Sequence, residues 1–298
     1  MHLPRAARPA RLLAGSVSLV AAVAACAQTP LWLAGEWNNH EQVWQQRIDA
    51  TKPADAGAAQ RPSEVPHRQA VVRAGSDGAW RVQWHEGVLH GRGAALLTQS
   101  WRVTLPEGGA GTALLSVEGS ACSVVLARSE GPEAWAGASA PGQCTLAGQK
   151  RRVQARLSPG MIEWQEHAEG QNGPAPPLRL RKQRYFEGWV WFRNAGPGAS
   201  PDDKDTSFTA RISLHSEGQR LVLQRKDGTD APWELEFALL TYQNTRRPIL
   251  KFGLVDRSTG KSISYTWANT DASNIGFNLG WFQSGLTLRP EGQNLYGN

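Results

Sequence analysis

The sequence predicts an all-β protein, an antiparallel barrel or sandwich preceded by one short helix. Three observations carry this. Apolar residues alternate with a period of two through many short stretches between residues 69 and 288. Gly, Pro and Asp turns separate those stretches. Outside residues 39–50 no segment has convincing helical periodicity.

The first element lies in PLWLAGEWNNHEQVWQQR, residues 30–47, where Trp32, Leu33 and Trp37 are apolar anchors around Gly35. Asn39 with Gln42 three positions on fits a capping box. Val43, Trp44, Arg47 and Ile48 then recur at helical spacing, so one face can lie on a core, as a plug or brace across a barrel end. The helix ends before Pro53, and 51–66 reads as a surface loop. Strands follow at 69–73, at 79–90 with Trp80, Val82 and Trp84 on one face, and at 96–105, 112–119 and 122–130. Two more lie at 149–157, with Val153, Ala155 and Leu157 facing one way, and at 161–167. GQNGPAPP at 170–177 is a break, after which LRLRKQRYFEGWVWFR (178–193) is an aromatic strand or hairpin. Beyond the loop at 194–206, four strands lead to the turn DRSTGK at 256–261, across which Phe252 and Leu254 are expected to pair with Ile263, Tyr265 and Trp267. IGFNLGWFQSGLTL (275–288) closes the chain.

The segment ahead of the fold is a targeting signal. Arg5, Arg8 and Arg11 precede an apolar run, 12–25, that is too short for a comfortable bilayer span and ends in small residues. Its end, VAAC at 23–26, resembles the lipobox of bacterial lipoproteins, which implies lipidation of Cys26; an ordinary cleaved signal is the alternative. Ala27 after that cysteine implies the outer membrane, with the protein facing the periplasm. Cleavage lowers the net charge from +6 to +3, too little to argue for nucleic acid. KRR at 150–152 and RLRKQR at 179–184 read as solvated strand faces. In an oxidising compartment the remaining cysteines, Cys122 and Cys144, are expected to form a disulfide; a redox pair is the other reading, but there is no CxxC. The domains expected are 1–25 signal, 26–30 lipidated tether, 31–192 barrel and 193–298 further β-structure, either extending the barrel or forming a second subdomain.

In several places, in consistent order, the residues resemble the CpcT/CpeT family, whose best-known members attach bilins to phycobiliproteins. GEWNNHEQ at 35–42 is similar to the family's opening, at Gly35, Trp37, Asn38 and Gln42. Residues 118–144 are similar to its cysteine strand, its aromatic-glycine pair and its second cysteine, here Cys122, Trp135 with Gly137, and Cys144. The Gly-Cys dipeptide has become Ala121-Cys122; Glu169-Gly170 is the nearest acid-glycine element, without the arginine before the glycine. YFEGWVWF at 185–192 resembles the closing strand. The resemblance implies a calycin-like antiparallel barrel, which a closed sheet with no free edge would suit. It also implies a cavity able to hold a tetrapyrrole.

Thirteen tryptophans suit either the filling of such a barrel or an aromatic ligand cavity. Trp80 and Trp84, with Arg73, Arg81 and Arg102 as propionate donors, are the candidate cavity, although each arginine also fits an ordinary outward strand position. No catalytic residue is assigned: GxSxG, HExxH, P-loop and Rossmann patterns do not occur. His85 and His90 do not share a face of their strand, and His40 beside Glu41 reads as helix surface. Three functions remain: a non-enzymatic envelope lipoprotein whose barrel binds a small apolar or aromatic ligand, a tetrapyrrole lyase or carrier, and a structural or protein-docking lipoprotein with no small ligand. An open calyx containing arginines favours the first two; a plugged barrel beside an exposed apolar patch favours the third.

Overall fold

The computed structural model describes residues 31–51, 64–75, 80–89, 94, 101–104, 111–129, 134–146, 148–170 and 176–290. The signal, Cys26, the tether and His90 lie outside the described residues. No helix among those described is long and apolar enough to cross a membrane.

A single 3-10 turn, Leu31–Leu33, leads into strand β1 (Gly35–Asn38), helix α1 (His40–Ala50) and strands β2 (Arg68–Ala74), β3 (Trp80–Glu86) and β4 (Trp101–Thr104). β5 (Thr112–Val117), β6 (Ser123–Arg128), β7 (Trp135–Ala138), β8 (Cys144–Leu146), β9 (Gln149–Ser158), β10 (Met161–Ala168) and β11 (Leu178–Lys182) follow. Every pairing is antiparallel, in the order β10-β11-β1-β2-β3-β4-β5-β6-β7-β9, and β9 also pairs with β10. The sheet therefore closes into a ten-stranded barrel, with β8 a short flap on the edge of β9. The alternation read from sequence holds: Trp80, Val82 and Trp84 point inward, as do Val153, Ala155 and Leu157. Gly137 is required because β6 and β7 approach so closely that an added Cβ would stand 2.0 Å from the Val125 carbonyl oxygen.

The family resemblance placed 185–192 at the close of this barrel and the boundary after 192. Instead β11 closes the barrel against β1, with Trp37 opposite Lys182. The aromatic strand, β12 (Tyr185–Arg193), opens a second β-system. It continues through β13 (Thr206–His215), β14 (Gln219–Gln224), β15 (Asp230–Tyr242), β16 (Arg247–Asp256), β17 (Ser262–Ala268), β18 (Asn274–Asn278) and β19 (Phe282–Leu288). Two four-stranded sheets result, β13-β12-β19-β18 and β14-β15-β16-β17, around their own core of Phe186, Phe192, Leu235, Phe237, Phe252 and Phe282. β12 pairs with both β13 and β19 and with no strand of the barrel, so the second system begins at Tyr185.

Helix α1 sits between the two systems, against β15 and β11. The capping box does not form, because the amides are used for longer-range ties. Asn39 donates to the Pro66 carbonyl and accepts from the Arg68 N–H, at 2.9 and 2.7 Å. Gln42 donates to the Pro177 carbonyl and accepts from the Arg179 N–H, at 2.7 and 2.9 Å. Asn38 Oδ1 instead accepts from the His40 N–H at 2.8 Å. The family-like opening thus fastens helix to barrel, and α1 is a brace between two β-systems. The plug is Leu33, fully buried below the 3-10 turn, with its carbonyl accepting from Trp37 Nε1 at 3.1 Å.

Candidate functional site

The interior of the barrel is the first place to look for a ligand, and among the described residues tryptophans pack into it. Trp37, Trp80, Trp84, Trp101, Trp135 and Trp164 all point inward, none more than 5% exposed. Trp101 meets Trp164 edge-on at 4.3 Å, and Trp84 lies 5.7 Å from Trp164. Burying one such ring contributes roughly 1.5–3 kcal/mol or more, so this packing is the stability of the barrel. The candidate cavity divides accordingly. Trp80 and Trp84 belong to the core, while Arg73 is exposed, and Arg81 and Arg102 stand side by side on the outer face and both pair with Glu118. They are outside because Ala70, Val72, Trp80, Val82, Trp101 and Val103 take the inward positions of β2, β3 and β4, and the arginines fall on the alternate ones. The arginines therefore do not join the tryptophans in one site. Cys122 and Cys144 are disulfide-bonded and buried in the same core.

The second candidate is a polar cluster at the junction that sequence reasoning missed. His40 lies there rather than on the helix surface: its ring stands where a Cβ on Gly218 would be, 2.2 Å away, and is 5.6 Å from the ring of His67. Gly87 makes the matching space for His67, and His67 Nε2 is 2.9 Å from Asn38 Oδ1. His215 Nδ1 accepts from the Glu217 N–H at 3.2 Å. Burial, first of all, holds His40 and His67 down at about 4 and His215 at about 3. Neighbouring cationic or imidazole groups lower each further. Burial likewise pushes the Glu217 carboxyl up to about 8, against the opposing pull of Arg181. At neutral pH these are uncharged groups. Perturbed values of this kind mark many active sites, but an acid or base must reach a substrate. Here His215 and Glu217 are buried, and His40 and His67 half-buried, between the helix and the two β-systems, so the shifts report desolvation in a joint. Among the described residues no group of three His, Cys, Asp or Glu side chains could hold a metal ion.

The third candidate is the outer surface of the second β-system. On β17, Ile263, Tyr265 and Trp267 are 37%, 51% and 53% exposed. The hairpin forms at Asp256–Lys261 as expected, and Asp256 accepts from the N–H groups of Ser258 and Thr259 at 2.8 and 3.0 Å. Its register differs from the expected one. Phe252 faces Thr266 and Leu254 faces Ser264, while Tyr265 and Trp267 stand opposite Gly253 and Lys251. A one-residue offset in a strand exchanges its faces, and the aromatic row points outward. Trp267 lies 5.4 Å from Tyr242 and 5.8 Å from Tyr265, and Lys251 Nζ sits 5.5 Å from the Tyr265 ring. On the same face of β15, Ala238 and Leu240 are buried, and α1 packs against that strand; at its end Gln243 donates to Gln45 Oε1 at 3.0 Å, and Thr241 bonds to Glu41. Arg246, Arg247 and Lys261 are exposed around the open half.

No protein-family model matches the chain, and no curated protein matches it. Among solved structures it is similar to the T-type phycobiliprotein lyase CpeT from Prochlorococcus phage P-HM1, at 14% identity and a TM-score of 0.36. That likeness covers 51% of this chain and 93% of the other.

Proposed function

We propose that this chain is a non-enzymatic envelope lipoprotein, tethered through Cys26 to the outer membrane, that docks a protein partner on the β16–β17 face. The carrying observation is the exposed row of Ile263, Tyr265 and Trp267, which continues the sheet face that α1 already occupies. A face that binds a helix of its own chain over β15 offers the same apolar chemistry to a second polypeptide beside it. The rim formed by Arg246, Arg247 and Lys261 selects a partner with an acidic border. The inward tryptophans among the described residues support reading the barrel as a rigid base.

The test uses the full chain in its own envelope, with a photo-crosslinking amino acid at position 267. The expected result is one dominant adduct with a single envelope protein, lost when Arg246 and Arg247 are both changed to Glu. No adduct, or an equal adduct from position 187, overturns the docking reading. Cys26→Ser is expected to move the protein from the membrane fraction to the soluble periplasm; unchanged fractionation overturns the anchor.

A further inference from the structure

The other sheet of the second system carries a different surface. Outward positions of β12, β19 and β18 line up across the strands, with Trp189 opposite Gly285 and Gly285 opposite Gly276. The next row on one side is Glu187, Thr287 and Asn274. On the other side stand Phe208, Trp191, Gln283 and Asn278. The sheet face is thus aromatic at the β12–β13 end and bears amides and a hydroxyl at the β18–β19 end, with a lane of glycine between.

The lane is a groove of about 350 Å³, lined chiefly by Trp189, Gly285, Gly276, Asn274 and Thr287. Trp189 heads it at 39% exposure, its indole leaning to within 3.5 Å of where a Gly285 Cβ would be. Phe208, 61% exposed, lies 6.4 Å from that indole. Two charges beside the groove are engaged: Glu187 pairs with Arg289 at 3.3 Å, and Arg193 lies 5.0 Å from the Trp191 ring, while Arg211 on β13 is exposed. Thr287 donates to Asn274 Oδ1 at 2.8 Å, so its oxygen is held in place as an acceptor at the groove wall.

We propose that this groove binds a neutral glycan strand, with a sugar ring lying on Trp189 and its hydroxyls meeting Asn274 and Thr287. The chemistry selects that class. The face of an indole carries the negative side of its quadrupole, which the C–H face of a pyranose ring complements. Amide and hydroxyl side chains, which both donate and accept, match sugar hydroxyls. The groove lining offers a charged ligand no counter-charge, and a wholly apolar ligand would strand the amides. The groove is shallow and open, which suits a chain passing across it better than a compact ligand, for which a deep apolar pocket is the rule. This surface is on a different sheet from the β17 row, so the two proposals stand or fall separately.

The test is titration of the full chain with cellohexaose and chitohexaose, followed by tryptophan fluorescence, and cosedimentation with purified peptidoglycan sacculi. Saturable binding is expected, weakened at least tenfold by Trp189→Ala and severalfold by Thr287→Ala, with Trp267→Ala leaving it unchanged. All three side chains are partly exposed, so the variants are expected to keep the parent melting temperature. Binding to the oligosaccharides alone assigns a free glycan, and binding to sacculi assigns the wall polymer; either supports the site. Absence of binding to all three, or binding that Trp189→Ala does not alter, overturns it.

Discussion

Glu217 and the three histidines are uncharged because they are buried, and that makes the joint sensitive to pH in two opposite senses. A histidine held below its ordinary value contributes fully above about 6.5, and the contribution is lost as pH falls toward the folded values of about 4, 4 and 3. A carboxyl held at about 8 contributes fully below its ordinary 4.5, and that is lost as pH rises through 8. Between 4.5 and 6.5 three imidazoles outweigh one carboxyl, so stability is expected to peak near pH 6.5 and to decline toward pH 8. Glu217→Gln removes the alkaline decline: the variant is expected to match the parent near pH 4.5. At pH 8–9 it should be more stable by a few kcal/mol, at about 1.4 kcal/mol per pH unit of removed linkage. Urea unfolding at several pH values measures this, and an unchanged alkaline slope rules out Glu217 as its source. None of this was legible in the sequence. His40 and His67 are 27 residues apart, His215 lies in the second β-system, and the space for two of the rings comes from glycines that carry no pattern of their own.

At the level of single elements, what could be read and what could not divide along physical lines. Strands with one buried face were legible because their period of two repeats for several residues, as in β3 and β9. The helix was legible too, but its cap was not: Asn39 and Gln42 make better-placed bonds to β2 and β11 than to their own helix, and local rules cannot see distant partners. In β17 the alternation was visible and the side was not, because a bulge between Leu254 and Val255 sets the pairing. The aromatic row was therefore paired with Phe252 and Leu254, whose partners are Thr266 and Ser264. The bonded cysteines join β8 to the start of β6, across a sequence separation of 22. Replacing both with Ala is expected to cost about 3 kcal/mol by the loop-entropy argument. A fall of roughly 6–12 °C in Tm should accompany it in a chain of this size. A double variant that melts with the parent would place the stability of β8 in packing alone.

Across the whole molecule, a closed barrel and a two-sheet β-system with separate cores share a polar joint braced by α1. Separate cores imply separate folding units. Residues 184–290 alone are expected to give a cooperative melt and dispersed amide spectra, with Tm below that of the whole chain because Ala238 and Leu240 lose their cover. A non-cooperative fragment would make the joint part of the second core. The all-β architecture was visible from composition and turns, whereas the division was hidden: the aromatic run 185–192 suits the end of one barrel as well as the start of another. In each system the first strand pairs with the last, β1 with β11 in the closed barrel and β12 with β19 in the two-sheet system. In a chain delivered from its N-terminus this imposes a timetable. The barrel can shut once Lys182 has emerged, but Phe186 must wait for Leu288, and until then one edge of β12, an aromatic strand, stands without its neighbour. A chain of this design therefore carries its greatest risk of mispairing late, in the interval between closure of the barrel and arrival of the final strand.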